Sequence, residues 1–213
     1  MVADLESKPR MGRPPLTSAR TLEEMALTLF VQQGYARTTV DQIAAAARVN
    51  KRTFFRYFRS KADVFWRDFD EEVDLIREEL AKTSAELPVM AAIREAVMAA
   101  SRYPVDEVPK LHARMGVIKS EPELLGRFAM HHEAWAHQVS EFVAARTGQP
   151  ADSLYPLAIG RATLATCRAA YDRWAAQDDP DYTRYIDPAL RALADGFAEV
   201  ASKKEPSARR AVS

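Results

Sequence analysis

Between Lys51 and Lys61 the chain reads KRTFFRYFRSK, interleaving cations, aromatic rings and a threonine hydroxyl. That mixture suits a polyanion that also presents flat, apolar groups. Cations and hydroxyls satisfy phosphates, Arg and Lys read guanine edges, and an aromatic ring touches a thymine methyl. Spacing sorts the residues by face. Phe54 and Phe58 are four apart, so on a helix they share one side and are expected to pack inward against Ile43 and Phe30. Lys51, Arg52, Thr53, Phe55, Arg56 and Tyr57 are left around the outer faces, a set built to enter a major groove. Thr39, at the start of the preceding helix, and Lys61, just past the run, are placed to reach flanking phosphates. The competing reading is a solvated basic helix. The inward aromatic pair and the capped spacing described below count against it.

Other candidate chemistry is thin. The string HHEAWAH imitates H-E-x-x-H, but His132 and His137 are five apart, about 140° around a helix, which is wrong for shared chelation. The acidic run from Asp68 to Glu79 spreads around a helix and reads as a solvated face. No nucleophile–base pairing, phosphate loop or metal spacing is present, so no enzyme, metal or cofactor is expected. A single cysteine, Cys167, excludes an internal disulfide and fits a reducing cytoplasm. No run approaches 18 apolar residues, so no membrane span is expected. The zero net charge hides a split. Residues 1–61 hold 11 Lys/Arg and 5 Asp/Glu, and residues 62–213 hold 19 and 25, so +6 faces −6. The basic end wants an anionic partner.

These residues need an all-α frame, because 3.6-residue apolar stripes recur and period-2 alternation does not. The first helix spans roughly 18–33 and is closed by Gly34. The second follows Thr39, since Thr39-x-x-Gln42 is a capping box. Asn50 caps a third over 51–57. With Val49 plugging the turn between them, the second and third make a helix-turn-helix. Ser60 caps a fourth helix reaching Thr83, with Asp63 in the box position. Further helices are expected over 88–101, 107–119, 122–147, 152–177 and 182–202, with Pro188 kinking or splitting the last. The domains are therefore a basic arm, 1–15; a DNA-binding domain, 16–61; a helical domain, 62–205; and a disordered tail, 206–213.

The stretch from Thr17 to Phe65 resembles the DNA-binding domain of TetR-family transcriptional regulators. The residues that carry the likeness are Leu29-Phe30, Gly34-Tyr35, Thr38-Thr39-Val40, Ile43-Ala44, Thr53 to Phe58 and Ser60-Lys61. The resemblance implies DNA contacts from Thr53, Phe55 and Tyr57, backbone contacts from Thr39 and Lys61, and a ligand-responsive repressor bound as a homodimer to a near-palindromic double-stranded operator. Arg48 departs from the family, which usually has Gly in that turn. A β-carbon at a left-handed position costs something like 1 kcal/mol, so either the turn differs slightly or Arg48 itself touches phosphate. A narrower likeness, FFRYFRSKADVFWRDFD, is to regulators of the mycofactocin-system type, and implies a C-terminal domain that takes acyl-CoA-like ligands. Upstream, Met11-Gly12-Arg13-Pro14 holds the Gly-Arg-Pro core of AT-hooks without the preceding Arg. Arg13 then either lies in the minor groove or belongs to a basic tail that adds only non-specific affinity.

In the larger half, two late helices carry apolar residues in alternating steps of three and four. One has Leu164 and Trp174, the other Leu190, Leu193, Phe197 and Val200. Such seams suit a four-helix dimer interface; the alternatives are the subunit's own core, or a stripe that serves both purposes in part. Met98, Met115, Phe128, Trp135 and Tyr171 are candidate lining for a pocket between helices, with His131 facing a ligand or bonded within the core. Arg102 is a candidate partner for a ligand's anionic group. The effector class expected from the resemblance is a small hydrophobic molecule or a long-chain acyl-CoA; the alternative is a DNA-binding regulator that responds to a protein partner with no small-molecule ligand.

Overall fold

The computed structural model describes residues 18–177 and 179–202, with side chains described through Gly196. Arg13, the rest of the arm, the side chains of Phe197 and Val200, and the 206–213 tail lie outside the described residues. The chain divides after Val64 into two compact units, the second starting at Phe65.

In the first unit, α1 runs Ala19–Gln33, α2 Val40–Ala46 and α3 Lys51–Tyr57. Each start is written in side-chain chemistry. The Ser18 hydroxyl accepts from Thr21 N–H at 3.2 Å and the Asn50 side chain from Thr53 N–H at 2.8 Å. The Thr39–Gln42 capping box is complete: Gln42 N–H donates to the Thr39 hydroxyl at 3.3 Å, and Thr39 N–H donates to Gln42 Oε1 at 2.8 Å. The α2–α3 turn closes as a Schellman motif. Val49 N–H reaches the Ala44 carbonyl at 2.9 Å and Arg48 N–H reaches that of Ala45 at 3.0 Å. Arg48 takes the left-handed position of that motif, with φ 56°. A tight three-helix core of Leu22, Ala26, Phe30, Ile43, Phe54 and Phe58 forms beneath it.

A 3-10 turn, Lys61–Phe65, precedes α4, which begins at Trp66 and ends at Lys82. The fourth helix therefore starts about one turn later than expected from Ser60. The Asp63 carboxylate accepts from the N–H groups of Arg59 and Ser60 at 2.9 and 3.2 Å, which turns the chain rather than opening an α-helix.

The second unit continues with α5, Val89–Ala100; α6, Val108–Ser120; α7, Pro122–Thr147; α8, Leu154–Ala175; and α9, Thr183–Ser202. Within it α8 packs against α7 and α9, and α4 against α5 and α7. Contrary to expectation, α9 runs unbroken through Pro188. Pro188 is exposed, and the neighbouring Asp187 carboxylate is clamped by Arg94 of α5 and by Arg191 at 2.9 Å, so tertiary contacts hold the turn that lost an N–H.

Part of the late apolar stripes belongs to the subunit's own core. Trp174 is fully enclosed and donates from Nε1 to the Asp179 carbonyl at 2.6 Å; Leu190 is buried beside Ile186; Leu193 packs on the same cluster. Trp174 and Leu190 are thereby removed from any surface a partner could reach, because apolar burial inside one chain has already used them.

Where α7 and α8 cross, Gly160 is buried and a β-carbon there would sit 2.5 Å from the Ala136 carbonyl oxygen. Gly160→Ala is expected to cost about 1–3 kcal/mol by forcing the two helices apart. Urea denaturation checks it: an unchanged midpoint would show that the crossing is not close-packed.

Candidate nucleic-acid interface and ligand cavity

The outer face of α3 follows from its buried one. With Phe54 and Phe58 in the core, Phe55 is 48% exposed and Lys51, Arg52 and Arg56 are fully on the surface. Thr53 and Tyr57 are half-buried at the edges of that face. The Arg56 guanidinium lies 4.9 Å from the Tyr57 ring centre and donates to its hydroxyl at 3.1 Å, so the pair forms one cationic, aromatic ledge. Lys51 pairs with Asp41 of α2 at 2.9 Å, an exposed contact that a phosphate can exchange for. Arg48 and Thr39 are exposed, the latter with its hydroxyl occupied by the capping box.

Lys61 has a second job. Its ammonium donates to the carbonyls of Tyr35 at 2.7 Å and Thr38 at 3.1 Å and lies 4.2 Å from the Tyr35 ring centre. In this state it ties the α1–α2 turn to the 3-10 turn, all within the first unit. A purely phosphate-directed Lys61 is not what the structure shows.

The second unit holds a half-open cavity of about 160 Å³. Of the residues expected to line it, Met115, Phe128, His131, Trp135 and Tyr171 do. Met98 does not, because it is turned on α5 toward the general core. Arg102, beyond the end of α5, borders a separate recess that shares Ser101, Tyr103 and Tyr182 with the cavity. Leu164, expected at a dimer seam, lines the cavity instead.

Two histidines of α7 face this space as neutral rings. Burial, then the nearby Arg168 charge, pushes His132 down to about 4. Burial also lowers His131, whose ring stacks on Trp66 at 5.2 Å with Nδ1 3.1 Å from the Asp70 carboxylate.

The decisive residue is one the acidic run concealed. Glu72 faces the cavity, and burial pushes its carboxyl up to about 7; the Arg114 charge opposes this and Asp68 adds to it. Arg114 is itself ion-paired with Asp68, so its charge is largely committed. Three tyrosines share the space: Tyr103, Tyr171 and Tyr182. Tyr182 donates to the Cys167 carbonyl at 2.9 Å, whereas the buried Tyr171 hydroxyl has no hydrogen-bond partner among the described residues. Sequence did hold a signal. Phe69, Glu72, Ile76 and Leu80 follow helical spacing, so Glu72 occupies a core position of α4.

Residues 24–66 match the family described as bacterial regulatory proteins of the tetR family, and residues 87–198 match the MftR C-terminal domain. The chain belongs to the TetR family. It is 27% identical over 188 residues to a mycofactocin biosynthesis transcriptional regulator, MftR, of Mycobacterium tuberculosis, covering 88% of this chain and 95% of that one. It is 32% identical over 191 residues to the transcriptional regulator TcmR of Streptomyces glaucescens, covering 85% and 80%. Among solved structures, the SmeT–triclosan complex aligns with a TM-score of 0.64 at 16% identity, covering 84% of this chain and 90% of that one. FadR of Thermus thermophilus with lauroyl-CoA aligns at 0.55 and 21%, covering 84% and 95%. Both share the TetR fold. The protein is thus a DNA-binding transcriptional regulator of the TetR type, and among its described residues no helix is long and apolar enough to cross a membrane.

Two measurements probe these sites. Lys61→Ala removes an ammonium bonded to two backbone carbonyls, so the first unit is expected to lose on the order of 1 kcal/mol of stability in addition to any DNA affinity. A variant melting like the parent would restrict Lys61 to DNA. For Glu72, the unfolded chain releases its proton near the ordinary 4.5, while the folded chain holds it to about 7. The folded state therefore binds more protons between those values, and its stability falls as pH rises through them, by roughly 3 kcal/mol in all. His132 works in the opposite sense below pH 6.5. The readout is consequently the difference between Glu72→Gln and parent: the variant is expected to gain relative stability from pH 4 to 8, and a pH-independent difference would contradict the buried carboxyl.

Proposed function

We propose that the protein is a ligand-responsive repressor that binds a near-palindromic operator as a homodimer and is released by a small hydrophobic or acyl-CoA-like effector. The exposed cationic and aromatic face of α3 carries the reading: Lys51, Arg52, Arg56 and Phe55 outward, Thr53 and Tyr57 at its edges. In the bound state Arg48, Thr39 and Lys61 contact the phosphates on either side. Seven residues of helix read only a few base pairs, so two copies spaced by a helical turn, about 34–36 Å, are needed for a specific site. The exposed faces of α8 and α9, beside the half-buried Leu193, are the proposed pairing surface.

The effector site is the cavity of the second unit, with Met115, Phe128, His131, Trp135 and Tyr171 in its wall. An acyl-CoA is supported by the lauroyl-CoA of the Thermus FadR complex, and a compact hydrophobic ligand by the triclosan of the SmeT complex. Arg168 and Lys119, exposed at the cavity's edge, suit an anionic head group. Nothing in this role requires catalysis.

Operator fragments selected from random DNA by the full-length protein provide the test. Tyr57→Ala is expected to weaken operator binding at least tenfold, about 1.4 kcal/mol, with an unchanged helical circular dichroism spectrum. Adding lauroyl-CoA or a small apolar compound is expected to release the parent protein in a gel shift. Parent-like affinity in Tyr57→Ala would remove α3 as the reading helix.

A further inference from the structure

The cavity contains a feature that neither a saturated acyl chain nor a plain hydrocarbon uses. Tyr103, Tyr171 and Tyr182 form an aromatic group whose ring centres lie 6.1 Å apart for Tyr103–Tyr182 and 6.2 Å apart for Tyr171–Tyr182. Trp174 backs them, at 5.1 Å from Tyr182 and 5.5 Å from Tyr171. Glu72, on α4, lines the same cavity as all three tyrosines. We propose, resting on the reading of this cavity as the effector site, that Glu72 and the Tyr103–Tyr171–Tyr182 cage form a subsite for an organic ammonium, so that the effector is a compact lipophilic amine.

Three observations carry this. Aromatic faces attract cations, and a cage of rings is the usual receptor for an alkylammonium. The carboxyl that would balance the charge is in place: the Arg114 charge acts on it, but Arg114 makes its own ion pair with Asp68 one turn earlier on α4. The Tyr171 hydroxyl is buried and unpartnered among the described residues, and its lone pairs can accept from an ammonium N–H. Size agrees: a cavity of about 160 Å³ is of the order of one that holds a single aromatic ring, about 150 Å³. Two further cations border the cavity: Lys119, paired with Asp172 and 5.5 Å from the Tyr171 ring centre, and Arg168, exposed at the edge. Tyr103, Tyr171, Tyr182 and the Cys167 thiol are all pushed upward by burial and stay neutral. The two α7 histidines at the cavity are neutral as well. An arriving ammonium would therefore ionise Glu72 and pair with it, while a hydrocarbon would leave the carboxyl protonated and unbonded.

The test uses the full-length protein and two matched probe pairs, benzylamine with benzyl alcohol and 2-naphthylmethylamine with 2-naphthalenemethanol, titrated by calorimetry at pH 6 and pH 8. The amines stay protonated throughout, so with Glu72 titrating near 7 their affinity is expected to rise about tenfold from pH 6 to 8. The alcohols are expected to bind more weakly and without that rise. Glu72→Gln is expected to remove the pH dependence and at least tenfold of the affinity at pH 8, and Tyr171→Phe to weaken the amines more than the alcohols. Alcohols binding as tightly as amines, a flat pH profile, or no amine binding at all would overturn the proposal. A parallel operator-release assay with the amines and lauroyl-CoA separates the two readings. Release by lauroyl-CoA without amine binding leaves the repressor reading standing and the ammonium subsite refuted. Amine binding as expected with no release by any compound leaves the subsite standing and refutes ligand-controlled repression.

Discussion

Burial of two rings on a seven-residue helix is the constraint from which the DNA-binding unit follows. A helix as short as α3 is not stable alone, because the cost of nucleation exceeds what two turns return. It exists because Phe54 and Phe58 lock it against Ile43 and the α1 core, their own ring centres 5.4 Å apart. Once those rings are inside, the remaining positions of α3 have no choice but to face outward, and they carry three cations, a threonine and two aromatics. The Asn50 cap and the Schellman turn fix where that helix begins. Arg48 is tolerated in the left-handed position because the turn's two hydrogen bonds and the ring burial exceed a strain of about 1 kcal/mol.

This dependence explains what was legible from sequence. The devices that set the helix boundaries of the first unit are local: Ser18, Thr39 with Gln42, Asn50 and Gly34 all act within a few residues, as does the i, i+4 spacing of the phenylalanines. Helix boundaries in the second unit were equally readable where Pro or Gly punctuated them, as at Pro122 and Gly148. Reading failed where tertiary contacts decided. Pro188 does not break α9, because Arg94 from α5 reaches across to hold Asp187, a contact 93 residues away in sequence. The 3-4 stripes of α8 and α9 had two possible partners, and periodicity cannot tell a partner helix in the same chain from one in another.

The cavity shows the same limit more sharply. Its aromatic wall was partly anticipated, since Phe128, His131 and Trp135 recur along one face of α7, but Tyr103 and Tyr182 come from connections and Glu72 from a run that looks solvated. Counting charges along the run hides the one that lies on the apolar stripe. Asking which face each charge occupies separates Glu72, in line with Phe69 and Ile76, from Asp70, Glu71 and Asp74, which are exposed.

A carboxyl in such a place is expensive and invites an account of what it gains. Moving its titration from 4.5 to about 7 corresponds to roughly 3 kcal/mol of unfavourable ionisation. A hundredfold change in DNA affinity on effector binding requires about 2.7 kcal/mol of difference between the ligand's affinities for two protein states. The two magnitudes are comparable. A ligand that relieves the Glu72 penalty in one arrangement of α4 and not in another would carry enough free energy to shift the regulator between them. A residue buried only for packing would carry none of it, since an apolar side chain at position 72 fills the same space with no charge for a ligand to satisfy.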